Sequence, residues 1–197
     1  MKNFFTFKNV IFLNIIIFAI CGLFVSFLLT TEKIQLLQIP DIKLPCSINS
    51  VLNCASVMKS KQAELFGFPN SILGLIGYSM VLIIGLTSLY NYKFNKILFA
   101  FYYLISFLAF IFSYWMLTQS IYVIQILCPF CLVSTISATQ IFFSFTLIYM
   151  EIGGNKNSTK DGILKQILHR KWYIPFIVLW YVTFLGLIIV QFYDRFK

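Results

Sequence analysis

From Ile97 to Met150 the chain carries not one charged side chain. Crossing a bilayer takes about 20 apolar residues in a helix, so this run is too long for one span and must fold back within the lipid. The polar triplet Thr118-Gln119-Ser120 is the natural break, giving spans of about 97–117 and 126–150. Three further stretches have the same character: about 10–29, 71–90 and 172–193. Thr30-Thr31-Glu32-Lys33 follows the first without a small-residue cleavage pattern, so it reads as a retained helix rather than a removed leader.

Composition agrees. The 197 residues are 60% hydrophobic and 11% charged, against about 25% charged in an ordinary soluble domain. The expected fold class is an all-α integral membrane protein. Residues 1–150 would form a bundle of four spanning helices with a capping segment at 30–70. A basic loop at 151–171 and a fifth helix with a short tail at 172–197 would follow.

The net charge of +9 does not point to nucleic acid, because the basic residues lie in short segments between apolar spans. There they set orientation. Lys2, Lys8, Lys93, Lys96, Lys156, Lys160, Lys165, Arg170 and Lys171 outweigh Lys33, Lys43, Lys59, Lys61, Arg195 and Lys197. The bias puts the N-terminus and the 151–171 loop in the cytoplasm, and the C-terminus and the 30–70 segment outside. A single histidine excludes catalysis built on several imidazoles.

Sulfur is the remaining chemical resource. Cys46 and Cys54 lie in the capping segment; Cys128-Pro129-Phe130-Cys131 opens the fourth span. Two such pairs are the minimum for passing two electrons by thiol–disulfide exchange. Residues eight apart in a helix are about 12 Å apart along its axis, and a disulfide needs Cα atoms within about 7 Å. Cys46 and Cys54 can therefore bond only if the chain between them turns. Pro129 suits the first turn of a helix, where the positive end of the dipole favours a thiolate. Ile124, Ile126, Leu127, Phe130 and Leu132 surround the motif with apolar groups fit for a quinone ring, and no glycine-rich phosphate loop offers a place for a nicotinamide cofactor. Leu65-Phe66-Gly67-Phe68-Pro69-Asn70 reads as a lid over the bundle or as a plain turn into the second helix. Two other readings of the sulfurs stand beside the relay. They are inert structural disulfides, in a non-enzymatic membrane scaffold, or zinc ligands; the apolar setting of the second pair argues against a metal. Cys21, in mid-span, reads as a small packing residue.

Taken together, Cys46-x7-Cys54, Ser60, Phe66-Gly67-Phe68-Pro69-Asn70-Ser71, Gly74, Gly77 and Cys128-Pro-Phe-Cys131 resemble the vitamin K epoxide reductase family, its bacterial branch above all. Another quinone-linked disulfide oxidase of bacterial membranes carries its CxxC in the first outer loop, the reverse of the order here. The resemblance implies a four-helix bundle around a quinone, ubiquinone or menaquinone, in a bacterial cytoplasmic membrane. It implies that Cys46 pairs with Cys54 and meets a soluble thiol partner, that Cys54 exchanges with Cys128, and that Cys131 contacts the quinone. Ser60 and Asn70 would lie near the ring, with Asn70 donating to a carbonyl oxygen. Thr135 stands where vertebrate members carry a tyrosine, and with Phe66, Phe68 and Phe130 completes the expected quinone-binding set. Some relatives carry a thioredoxin-like domain after a fifth helix; here the expected partner is a separate thioredoxin-fold protein. The implied activity is oxidation of that partner's thiols at the expense of the quinone, in support of disulfide formation. The alternative is thiol-driven reduction of a quinone or its epoxide. No nucleic acid or metal is expected.

Overall fold

The computed structural model describes residues 7–39, 42, 44–49, 51–89, 96–153 and 173–196. Lipid offers no hydrogen-bond partners, so an apolar chain satisfies its backbone by forming helices. Six are described: α1 (Phe7–Gln38), α2 (Cys54–Met58), α3 (Ser71–Leu89), α4 (Lys96–Thr118), α5 (Pro129–Gly153) and α6 (Tyr173–Phe196), with a 3-10 turn at Lys61–Glu64. Four of these are long and apolar enough to cross a membrane, within Asn9–Gln38, Ser71–Leu89, Ile97–Ile124 and Pro129–Tyr149. In α6 the apolar stretch is shorter, Ile177–Phe192. The all-α membrane fold expected from the sequence is the fold observed. All but the first three residues of the expected basic loop at 151–171 lie outside the described residues.

The chain divides into two compact units, Met1–Ser144 and Phe145–Lys197. In the first, α1 and α3 pack closely because glycines let their surfaces approach. A Cβ placed on Gly22 would run into the Tyr78 ring, and one on Gly85 would come within 2.7 Å of Ile16 Cγ1. The Tyr78 hydroxyl donates to the Ser134 carbonyl at 2.7 Å, tying α3 to α5. Thr30 Oγ1 donates to Ser71 Oγ at 2.8 Å, tying α1 to α3. Thr139 Oγ1 donates to the Tyr114 hydroxyl at 3.1 Å, and Phe110 stacks on Phe142 with centroids 4.8 Å apart, so α4 meets α5 through both polar and ring contacts. Ile17, Ile20, Phe24 and Phe27 of α1 are exposed, as side chains facing acyl chains should be. Cys21 shares that exposure instead of packing inward.

Two boundaries differ from expectation for identifiable reasons. α1 continues past Leu29 to Gln38. Its charged Lys33 is buried, but Nζ donates to the Met58 carbonyl at 2.7 Å and pairs with Glu64 Oε1 at 2.8 Å. A buried ammonium with both a carbonyl and a carboxylate is compensated, and the helix need not stop where the charges begin. α4 does not break at Thr118 either. It widens into a π-helical turn, Gln119–Ile124, and ends at Gln125, which adopts a left-handed conformation with φ 57°. Gln125 N–H donates to the Ser120 carbonyl, Ile126 N–H reaches the same oxygen at 3.2 Å, and the Ser120 hydroxyl donates to the Ile126 carbonyl. One serine thus closes the turn that leads into the cysteine motif.

Candidate functional site

Cys46 and Cys54 are joined by a disulfide, with Cα atoms 5.6 Å apart. The turn that makes this possible is local. Ser47 N–H donates to the Leu44 carbonyl at 3.0 Å, and Ile48 N–H to the Leu52 carbonyl at 2.8 Å. Asn49 folds its side chain back to accept from Val51 N–H and Leu52 N–H at 3.0 and 2.7 Å, the habit that makes asparagine a turn residue. Asn53 then caps α2, its side-chain oxygen accepting from Ser56 N–H at 3.1 Å. Asn53→Ala should lower stability by about 1 kcal/mol, the usual worth of such a cap, read as an earlier thermal transition of the purified chain.

A second backbone device sets Cys54 against the CxxC motif. Leu52 and Leu127 form an isolated parallel bridge. Leu127 N–H donates to the Val51 carbonyl at 2.8 Å and Asn53 N–H to the Leu127 carbonyl at 2.9 Å. The residues following each side of this splice are Cys54 and Cys128. Their sulfurs lie 3.2 Å apart, with the Cys128 thiol directed at Cys54. Both are almost wholly buried, at 0% and 1% exposure.

Cys128 precedes Pro129, the first residue of α5, so its sulfur sits at the helix start. The Cys131 backbone N–H donates to Cys128 Sγ at 3.3 Å. Cys131 is a free thiol, half-buried. Leu36, Leu44, Val57 and Met58 enclose Cys46, Cys54 and Cys128, with Phe130, Cys131, Ile124 and Ile126 packed against them. Water is thereby kept from these sulfurs.

The remaining expected residues fall into two groups. Phe130 and Thr135 share α5 with the motif, Thr135 Oγ1 donating to the Cys131 carbonyl at 2.9 Å. Ser60, Phe66, Phe68 and Asn70 belong to the segment before α3. Ser60 Oγ donates to the Val57 carbonyl at 2.7 Å. Asn70 staples the segment: Nδ2 donates to the Gln62 carbonyl at 2.7 Å and Oδ1 accepts from Leu65 N–H at 3.3 Å. The second Nδ2 contact goes only to Met116 Sδ, at 3.6 Å. Phe66 stacks near Phe68 and tilts against Phe112 of α4, with centroids 6.1 and 6.4 Å apart, and both Phe66 and Phe68 keep exposed surface.

A quinone fits this donor set. A thioether is a weak acceptor, so the Asn70 N–H now turned to Met116 is available to a stronger carbonyl oxygen. Exposed phenylalanine faces suit a flat ring.

Sequence reasoning missed Glu32. It precedes Lys33 on the extended end of α1, 6% exposed, with Oε2 3.1 Å from Cys46 Sγ. Its only signal was an acidic residue just beyond an apolar span, which reads as a flank. Comparison with curated proteins finds none that matches. Residues 13–152 match the model of the vitamin K epoxide reductase family. With most of the chain covered, and with the helices and disulfide already in view, the chain belongs to that family of membrane oxidoreductases.

Proposed function

We propose that the chain oxidises the thiols of a separate thioredoxin-fold protein and hands the two electrons to ubiquinone or menaquinone in a bacterial cytoplasmic membrane. In this reading residues 1–150 are the catalytic bundle, and the cysteine pairs face outward. The observation that carries the reading is the row of three sulfurs, Cys46–Cys54 bonded and Cys128 3.2 Å beyond.

A partner thiolate attacks Cys46 and the Cys46–Cys54 bond breaks, leaving Cys54 with the electron pair. Cys54 attacks Cys128 of a Cys128–Cys131 disulfide, and Cys131 leaves as a thiolate. The partner's second thiol displaces Cys46, completing the partner's disulfide. Cys46 then attacks Cys54, re-forming their bond and releasing Cys128. The observed arrangement corresponds to that last moment: the loop pair closed, Cys128 reduced and still adjacent. Every step is an attack of thiolate on disulfide, so the burial and alignment of these sulfurs bear directly on rate. The quinone, when bound, supplies the two-electron acceptor that returns Cys128 and Cys131 to a disulfide. Asn70 would orient it by donating to a carbonyl oxygen, and Ser60, Phe66, Phe68, Phe130 and Thr135 would shape its surroundings.

The test is turnover by the purified full chain in lipid nanodiscs, with dithiothreitol as reductant and a short-chain ubiquinone as acceptor, followed by the loss of quinone absorbance. The chain should reduce the quinone, and Cys131→Ala should remove that activity. Wild-type rates in Cys131→Ala would overturn the mechanism.

A further inference from the structure

We propose that Glu32 is the proton acceptor for Cys46: its carboxylate takes the thiol proton as Cys46 closes on Cys54 and returns it when the partner's second thiol displaces Cys46 from the mixed disulfide. The inference rests on the thiol-exchange reading of the site and adds a catalytic residue to it.

Glu32 Oε2 lies 3.1 Å from Cys46 Sγ. With the disulfide closed, the sulfur has no proton to donate, and the carboxylate oxygen lies at the distance from which it would accept one from a Cys46 thiol. Both residues are buried, at 6% and 3% exposure, so bulk water is poorly placed to collect the proton. The thiolate, not the thiol, is the nucleophile, and a buried Cys46 protonated on its release from the partner must lose that proton before it can attack. General bases work at this heavy-atom distance.

The step balances without an outside reagent. Cys54 begins in a disulfide with Cys128. The Cys46 S–H bond breaks and its proton goes to Glu32. The Cys46–Cys54 bond forms, the Cys54–Cys128 bond breaks, and Cys128 leaves with the electron pair, its sulfur accepting from Cys131 N–H. No net oxidation occurs.

Other charged and titratable groups lie in the neighbouring segments. Lys33 is held by the Met58 carbonyl and by Glu64 of the 3-10 turn. Lys59 is the C-cap of α2, with its backbone N–H bonded to Ala55, and Lys61 opens the 3-10 turn. Cys54 and Cys128 are the reacting sulfurs themselves, and Cys131 lies behind them on α5. Among the described residues no ion pair forms at Glu32, so its carboxylate is not committed to a neighbouring cation.

The experiment removes the quinone path and keeps the full chain. In a Cys128→Ser/Cys131→Ser background, the reduced protein is mixed with oxidised glutathione, quenched with acid and mapped by peptide mass. Two mixed disulfides form. On Cys54–glutathione, Cys46 is the attacker; on Cys46–glutathione, Cys54 is. Closure rates are taken for each from about pH 6 to about pH 9, on either side of an ordinary thiol pKa of about 8.5. Glu32→Gln should slow closure from Cys54–glutathione at least about tenfold near pH 6, a modest fraction of what general bases contribute. The gap should narrow as pH rises past the thiol pKa. Closure from Cys46–glutathione serves as the internal control and should change much less. Equal rates with and without the Glu32→Gln substitution, or an equal slowing of both mixed disulfides at every pH, would overturn the proposal.

The chain that keeps Glu32 gives an independent check should Glu32→Gln fail to fold. With Glu32 present, closure from Cys54–glutathione should stay nearly level between about pH 7.5 and about pH 6, because an internal acceptor replaces hydroxide. A fall approaching tenfold per pH unit over that range would overturn it. Since the assay contains neither quinone nor the CxxC thiols, it and the quinone assay fail separately.

Discussion

Oxidation of a Cys46→Ser/Cys131→Ser chain should weld Cys54 to Cys128 in nearly every molecule. The two sulfurs are already 3.2 Å apart, and the substitutions remove the competing partner of each. A disulfide formed this way closes a loop of chain from 54 to 128 with little movement, because the flanking residues are hydrogen-bonded to one another. Cross-linking should show as a faster-running band on a non-reducing gel and as one linked peptide by mass. The same chain should reduce quinone at least about a thousandfold more slowly than the unsubstituted protein, the scale on which losing a covalent participant registers. Failure to link 54 to 128 would remove the exchange step at the centre of the proposed relay. Linkage with wild-type turnover would remove the roles of Cys46 and Cys131 instead.

The second large effect is structural. Gly22→Val should destabilise the bundle by about 1–3 kcal/mol, the usual cost of forcing atoms into a filled core. The new Cβ runs into the Tyr78 ring, and that ring cannot swing aside without losing the hydrogen bonds of its hydroxyl to Ser134. Gly77→Val is the matched control on α3, since nothing lies within 4 Å of a Cβ there. Thermal unfolding in detergent should separate the two, with Gly22→Val melting early and Gly77→Val close to the parent. Equal melting would mean that α1 and α3 do not meet at Gly22 and Tyr78.

Much of this architecture was legible in the chain. α3 was readable almost to the residue, because the turn residues Pro69-Asn70 precede it and a lysine-bearing stretch follows. The start of α5 was readable from Pro129, whose ring suits a first helical turn and little else here. The need for a turn between Cys46 and Cys54 followed from helix geometry alone. What escaped was decided by partners distant in sequence. The last turns of α1 carry Glu32 and Lys33, and nothing local says that Met58 and Glu64 will receive the lysine. The widened turn after Thr118 depends on Ser120 serving both Gln125 and Ile126. Hydropathy reports how apolar a stretch is, not where its backbone finds its last acceptors. The pairing of Leu52 with Leu127 was equally invisible, since two leucines in apolar surroundings carry no signal of strand contact.

That pairing has a consequence for how the site tolerates change. Main-chain amides and carbonyls are the same at every position except proline, so a splice made from them is indifferent to which side chains it carries. The aim of one sulfur at the other is thus fixed by the only part of the polypeptide that substitution leaves alone. Residues lining the sulfurs can change in size and polarity while the backbone keeps the reach between Cys54 and Cys128 constant.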